Sequence, residues 1–192
     1  MTIGLACKWG ESIGTNKEKG IMLEVSIYNQ QDKQRLCDAI RNQIGAEPTV
    51  FMCIGTEKVF SDSLGPRVGT LLNSNLERAS FIYGLCDQNI TAENLLYSYN
   101  FIKALHPNSK IVVVDAAVGT IDQIGKVQIC SGGIAPGAAT NKNLPSVGDV
   151  GIIGIVAEKG MGDFYSLNSS KDRLVSSVAK FIADAIVEAT SA

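Results

Sequence analysis

The chain has 192 residues, 45% of them hydrophobic and 19% charged, with a net charge of −2. That length suffices for one α/β domain with a full core and is short for two. Lys and Arg are scattered, which argues against nucleic acid as a partner, and no apolar run approaches the roughly 18–20 residues that span a bilayer.

Residues 1–20 carry Gly, Lys, Glu and Asn without periodicity and read as an arm or an irregular edge segment. They lack a basic stretch followed by a long apolar core, so no signal peptide is predicted. Residues 21–192 read as a single α/β domain. MLEVSIY (22–28) has strand character, and DKQRLCDAIRNQI (32–44) places Leu36, Ala39, Ile40 and Ile44 on one helical face. TVFMCI (49–54) is a continuous apolar run, as expected of a strand buried on both faces. After it come the loop GTEKVFSD (55–62) and a predicted helix over 66–76, with Val68, Leu71 and Leu72 at helical spacing. Pro66 suits a first helical turn, where its missing N–H is no loss.

SFIYGL (80–85) reads as the next strand. Thr91 is the expected N-cap of a helix that turns Leu95, Leu96, Tyr99, Ile102 and Leu105 inward, and Pro107 closes it. KIVVVDAAVGT (110–120) begins as another buried strand, with Asp115 expected to end it. KVQIC (126–130) and a Gly/Pro/Asn-dense segment (132–149) precede the strand VGIIGIV (150–156). DRLVSSVAKFIADAIVEA (172–189) is amphipathic, with Leu174, Val178, Phe181, Ile182, Ala185 and Ile186 on one face. Strands alternating with helices predict a three-layer sandwich around a largely parallel sheet.

Asp62 and Asp115 each follow an apolar strand. In a parallel sheet the carboxyl ends of the strands share one edge, where ligands bind. Two carboxylates meeting in a partly dry site cannot both ionise comfortably, so one keeps its proton near neutral pH. The pair then offers a base to activate water and an acid to protonate a leaving amine. Each aspartate alone could equally be a helix or turn cap.

The motifs GT-x5-DSLGP, VVDA and G-x-x-PG-x-x-x-NKNLPSVGD, in that order, resemble those of the YyaC-type sporulation proteins. These are related to the germination protease and, distantly, to hydrogenase maturation endopeptidases. The resemblance covers roughly residues 48–187 and implies a phosphorylase/hydrolase-like fold. It implies that Asp62 and Asp115 are the catalytic pair of an endopeptidase acting on a protein or peptide in sporulation or germination. A cytoplasmic location in the sporulating cell or spore follows from the same likeness. The opening loop usually reads GTDRSTGDSLGP in that family. Here Glu57 keeps the negative charge, Val59 and Phe60 replace polar residues, and Ser61 replaces Gly. Ala139 and Thr140 stand where the later loop usually has Gly-Val.

Glu57, Ser63, Pro136, Gly137, Asn141 and Lys142 are the candidate substrate-binding residues. Lys142 could orient a substrate carbonyl or simply be a solvated loop lysine, and Pro136 and Gly137 suit a turn. Asp149, preceding a strand, is read as a turn residue at the opposite edge. His106, the sole histidine, lies nine residues before Asp115 and up to ~30 Å away at about 3.3 Å per extended residue. A same-chain His–Asp nickel site is therefore not expected. Five scattered cysteines, Cys7, Cys37, Cys53, Cys86 and Cys130, without a C-x-x-C, suggest reduced thiols and no zinc site. No cofactor is expected. The sequence leaves open a homo-oligomer, and also a non-catalytic binding or scaffold protein that keeps the fold without turnover.

Overall fold

Alternating apolar strands and amphipathic helices assemble into one mixed six-stranded sheet with helices on both faces. The computed structural model describes residues 20–45, 47–76, 80–134, 146–159 and 169–191. The strands are β1 (Ile21–Ser26), β2 (Thr49–Cys53), β3 (Phe81–Tyr83), β4 (Lys110–Gly119), β5 (Lys126–Ser131) and β6 (Val150–Glu158). Their order across the sheet is β1-β5-β6-β4-β2-β3. Pairs β2–β3, β2–β4 and β4–β6 are parallel, whereas β5 is antiparallel to both its neighbours. Only β5 therefore runs against the rest.

The helices are α1 (Gln30–Ile44), α2 (Leu64–Asn75), α3 (Leu95–Leu105) and α4 (Ser169–Thr190). Successive strand residues face opposite ways, so each central strand serves two cores. Phe51, Cys53, Val112, Val114 and Ile152 pack with α1, α2 and α4. Val50, Met52, Ile111, Val113 and Ile153 pack on the other face with Leu95 and Ile102 of α3. Every residue of β2 is buried, as its unbroken apolar run requires.

Several boundaries differ from the sequence reading. β3 is only three residues long, because Gly84 turns the chain at φ +87° and a Cβ there would lie 1.8 Å from the Cys53 carbonyl oxygen. Thr91 does not cap α3. Its amide instead bonds Asn94 Oδ1 at 2.8 Å, and Asn94 holds the cap position. Leu105 is half exposed, since among the described residues α3 packs on the sheet through Leu95 and Ile102. By contrast α1 starts where a cap was available: Asn29 accepts from the Gln31 amide.

Asp149 lies at the amino-terminal edge of β6, as expected. Its Oδ2 accepts the Ile111 amide at 2.9 Å, and its own amide donates to the Ile111 carbonyl, tying the start of β4 to β6. Asp149→Ala leaves the Ile111 N–H without this partner and is expected to cost about 1–3 kcal/mol in urea unfolding.

Candidate active site

The chain leaves β2 by the side of α2 and, after β3, returns on the opposite face through α3 to lay β4 on the other side of β2. The crevice beyond the carboxyl ends of β2 and β4 is thus the point where the winding reverses. Open α/β sheets bind ligands at such a point because neighbouring connections diverge there. Both aspartates flank it. Asp62 ends a 3-10 turn (Phe60–Asp62) between β2 and α2, and Asp115 lies on β4 one residue past the last β2 pairing, Cys53 with Val114.

Asp115 does not end its strand. β4 continues to Gly119, supported by pairing with β6, so β2 peels away while β4 runs on. Asp115 takes the face of Ile111, Val113 and Ala117 and is completely buried. Neither of its carboxylate oxygens has a hydrogen-bond partner among the described residues. Burial pushes its pKa well above the ordinary carboxylate range, and the negative charge of Asp62 pushes it further. The Ala116 amide lies close enough to offset this in part without making a well-aligned bond. A buried carboxyl without a well-aligned donor has little support for a charge, so its neutral form is favoured.

Asp62 is half-buried. Desolvation raises its pKa to about 6, opposed by the Thr56 backbone N–H. The two carboxyls therefore differ in setting: one is dry and unpartnered, the other reaches the rim. This asymmetry separates an acid from a base.

The loop carrying Asp62 is closed on itself. Thr56 N–H donates to the Asp62 carbonyl at 3.0 Å, and Gly55 N–H to the Ile90 carbonyl at 2.8 Å. Gly55 has φ +138°, and a Cβ there would come within 1.9 Å of the Asp62 carbonyl oxygen. Gly55→Ala must open this loop. It is expected to destabilise the fold by more than about 2 kcal/mol in urea unfolding and to remove any activity that needs Asp62.

Other candidates divide. Glu57 is exposed on the loop, and burial together with the Glu57 carboxylate pushes the Cys86 thiol pKa up. Ser63, expected to meet substrate, is instead buried, and its hydroxyl donates to the Phe60 carbonyl at 2.8 Å. It holds the loop from inside. Pro136, Gly137, Asn141 and Lys142 lie outside the described residues, as does Cys7. Cys37, Cys53 and Cys86 are free thiols. His106 follows α3 and shares a 2.8 Å hydrogen bond with Tyr83 Oη, before β4 begins. Among the described residues no group of three or more His, Cys, Asp or Glu could hold a metal ion.

Sequence reasoning missed what anchors the loop. Val59 and Phe60 are buried, at 8% and 9% exposure, with Phe60 packed into the core shared with α2 and α4. Two adjacent apolar residues inside a charged loop were the available signal. A groove between α2 and α4, lined by Leu71, Asn75, Ala183 and Val187, is not part of this site. The charges on its rim are already paired, Lys180 with Asp184 and Glu188 with Lys33.

The family model described as "Protein of unknown function (DUF1256)" matches residues 24–185. The chain belongs to the DUF1256 family. A family relative, the "Uncharacterized protein YyaC" of Bacillus subtilis (strain 168), is 35% identical over 151 residues, 79% of this chain and 73% of that protein. Among solved structures, the [NiFe] hydrogenase maturation protease HycI from Thermococcus kodakarensis KOD1 is similar, with a TM-score of 0.53 and 18% identity. The match covers 77% of this chain and 98% of HycI. This DUF1256 chain thus has a protease-like α/β fold. No helix among its described residues is long and apolar enough to cross a membrane.

Proposed function

We propose that this protein is an endopeptidase that hydrolyses peptide bonds in a protein substrate with the Asp62–Asp115 pair. One observation carries the reading: a completely buried, unpartnered carboxyl at the switch point of the sheet feels the charge of a second carboxyl on the adjoining loop. A structural aspartate normally has its oxygens satisfied, as Asp32 does with the Ser26 amide and Arg35. Asp115 has no such partners among the described residues.

In this mechanism Asp62, ionised above about pH 6, takes a proton from water as the water oxygen bonds to the carbonyl carbon. Asp115 gives its proton to the amide nitrogen as the C–N bond breaks. The proton on Asp62 then passes to Asp115 and restores the pair. Glu57 on the rim and Asn141 and Lys142 of the later loop are proposed to contact the substrate chain. The motif resemblance to YyaC-type sporulation proteins is the ground for proposing a role in sporulation or germination, in the cytoplasm of the sporulating cell or spore; the protease-like fold supports only the hydrolytic part of the reading. The test is cleavage of spore-protein peptides by purified protein, read by mass spectrometry. Products absent with Asp62→Asn support the reading, and products unchanged by it overturn the role of Asp62.

A further inference from the structure

Asp62 sits on a loop, and a loop holds a reacting group less firmly than a strand does. One side chain of α2 addresses this. Arg67 extends one nitrogen, Nη2, to Asp172 at 2.8 Å and another, Nη1, to Ser176 Oγ at 2.7 Å, both on α4. The centre of the same guanidinium lies 5.6 Å from the centroid of the Phe60 ring. Phe60 opens the 3-10 turn that Asp62 ends, and the Arg67 amide donates to the Ser63 carbonyl directly after it. The turn is thereby pressed between α2 and α4 from its outer side.

We propose that Arg67 and Phe60 form a clamp that fixes the Asp62 turn against α4, and that both are positioning residues for the reaction described above. The inference rests on that reading for its catalytic consequence but not for the clamp itself. Arg67 does not act on Asp62 through charge, because its guanidinium is committed to Asp172, Ser176 and the ring, and it is absent from the groups that shift the Asp62 carboxyl. A single exposed ion pair would restrict little. Here a planar fork engages two acceptors and one aromatic face at once, a geometry lysine cannot reproduce. It also accounts for the aromatic residue in this charged loop. The ring supplies the surface on which the fork rests.

The experiment compares hydrogen exchange and steady-state cleavage in the full chain and in the variants Arg67→Met and Asp172→Asn. Asp172 is about half exposed and lies on α4, outside the loop, in an ion pair with Arg67, so its variant leaves the loop's own residues intact. Exchange at the Thr56, Asp62 and Ser63 amides, whose bonds define the turn, is expected to quicken at least tenfold. Exchange at Val112–Val114 of β4 is expected to stay as in the wild type. In a cleavage assay kcat is expected to fall at least tenfold with KM within about twofold. Unchanged exchange at the three amides in a folded variant, or equal quickening along β4, overturns the clamp. A loosened turn with unaltered kcat overturns its positioning role. Should Arg67→Met fail to fold, Asp172→Asn decides by the same measures. If the wild type cleaves no peptide, the peptidase reading falls, while exchange alone still judges the clamp.

Discussion

Asp115→Asn is expected to abolish peptide cleavage while leaving the protein folded and more stable than wild type at neutral pH. The exchange keeps side-chain volume and replaces the acid with an amide that cannot ionise or donate a catalytic proton. Loss of a general acid or base lowers rates by typically ~10²–10⁴-fold, and a pair acting as a unit loses more. Stability should move the other way. Asp115 is completely buried with neither oxygen bonded, so at neutral pH the fold must keep it protonated while the unfolded chain would ionise it, a burden that Asn removes. If Asp115 were a turn cap instead, Asn would substitute with no loss of activity. Melting temperature and cleavage measured on the same variant separate the two. Unaltered cleavage removes Asp115 from the reaction.

The second large effect is on pH dependence. Both carboxyls have folded-state pKa values above the unfolded one, Asp62 from 3.8 to about 6 and Asp115 well above its ordinary range. The folded protein therefore keeps protons that the unfolded chain has released. The resulting stabilisation is complete below about pH 4 and is lost as pH rises through the folded values. For Asp62 the loss falls between about pH 4 and pH 7 and amounts to up to about 3 kcal/mol. Asp62→Asn should thus match wild type at pH 4 and melt up to roughly 10 °C higher at pH 8. Asp32 works oppositely, since the Ser26 amide and Arg35 hold its carboxyl low, so its contribution disappears only as pH falls through the acid range. Cleavage should rise with pH through about 6, where Asp62 ionises, and fall again once Asp115 loses its proton. Thermal melts from pH 4 to 8 with the pH–rate profile test both. A melting temperature of Asp62→Asn that tracks wild type across that range would show that Asp62 carries no desolvation cost.

Strand β2 and the helices were legible because local patterns dictate them. An unbroken apolar run such as TVFMCI requires burial on both faces, and the spacing of Leu36, Ile40 and Ile44 requires a helix with one wet side. Asp149 was readable as a turn residue from its place before a strand. The boundaries that failed were those decided elsewhere. β3 stops at Tyr83 because Gly84 meets the Cys53 carbonyl of a neighbouring strand. β4 outruns Asp115 because β6 supplies the pairing.

For the candidate site, the sequence by itself determined which carboxyls follow apolar strands, and hence that Asp62 and Asp115 lie toward one edge of a parallel sheet. Periodicity and chain direction suffice for that. Only the tertiary structure decided that the edge is a switch point, because strand order depends on which face each connecting helix takes. It also decided the inequality of the two aspartates. Desolvation depends on what surrounds a carboxyl in three dimensions, and the dry face of β4 at Asp115 is formed by residues far apart in the chain. Ser63 and Phe60 show the same limit. A hydroxyl and a ring in a polar loop look available to a substrate until packing against α2 and α4 turns them inward.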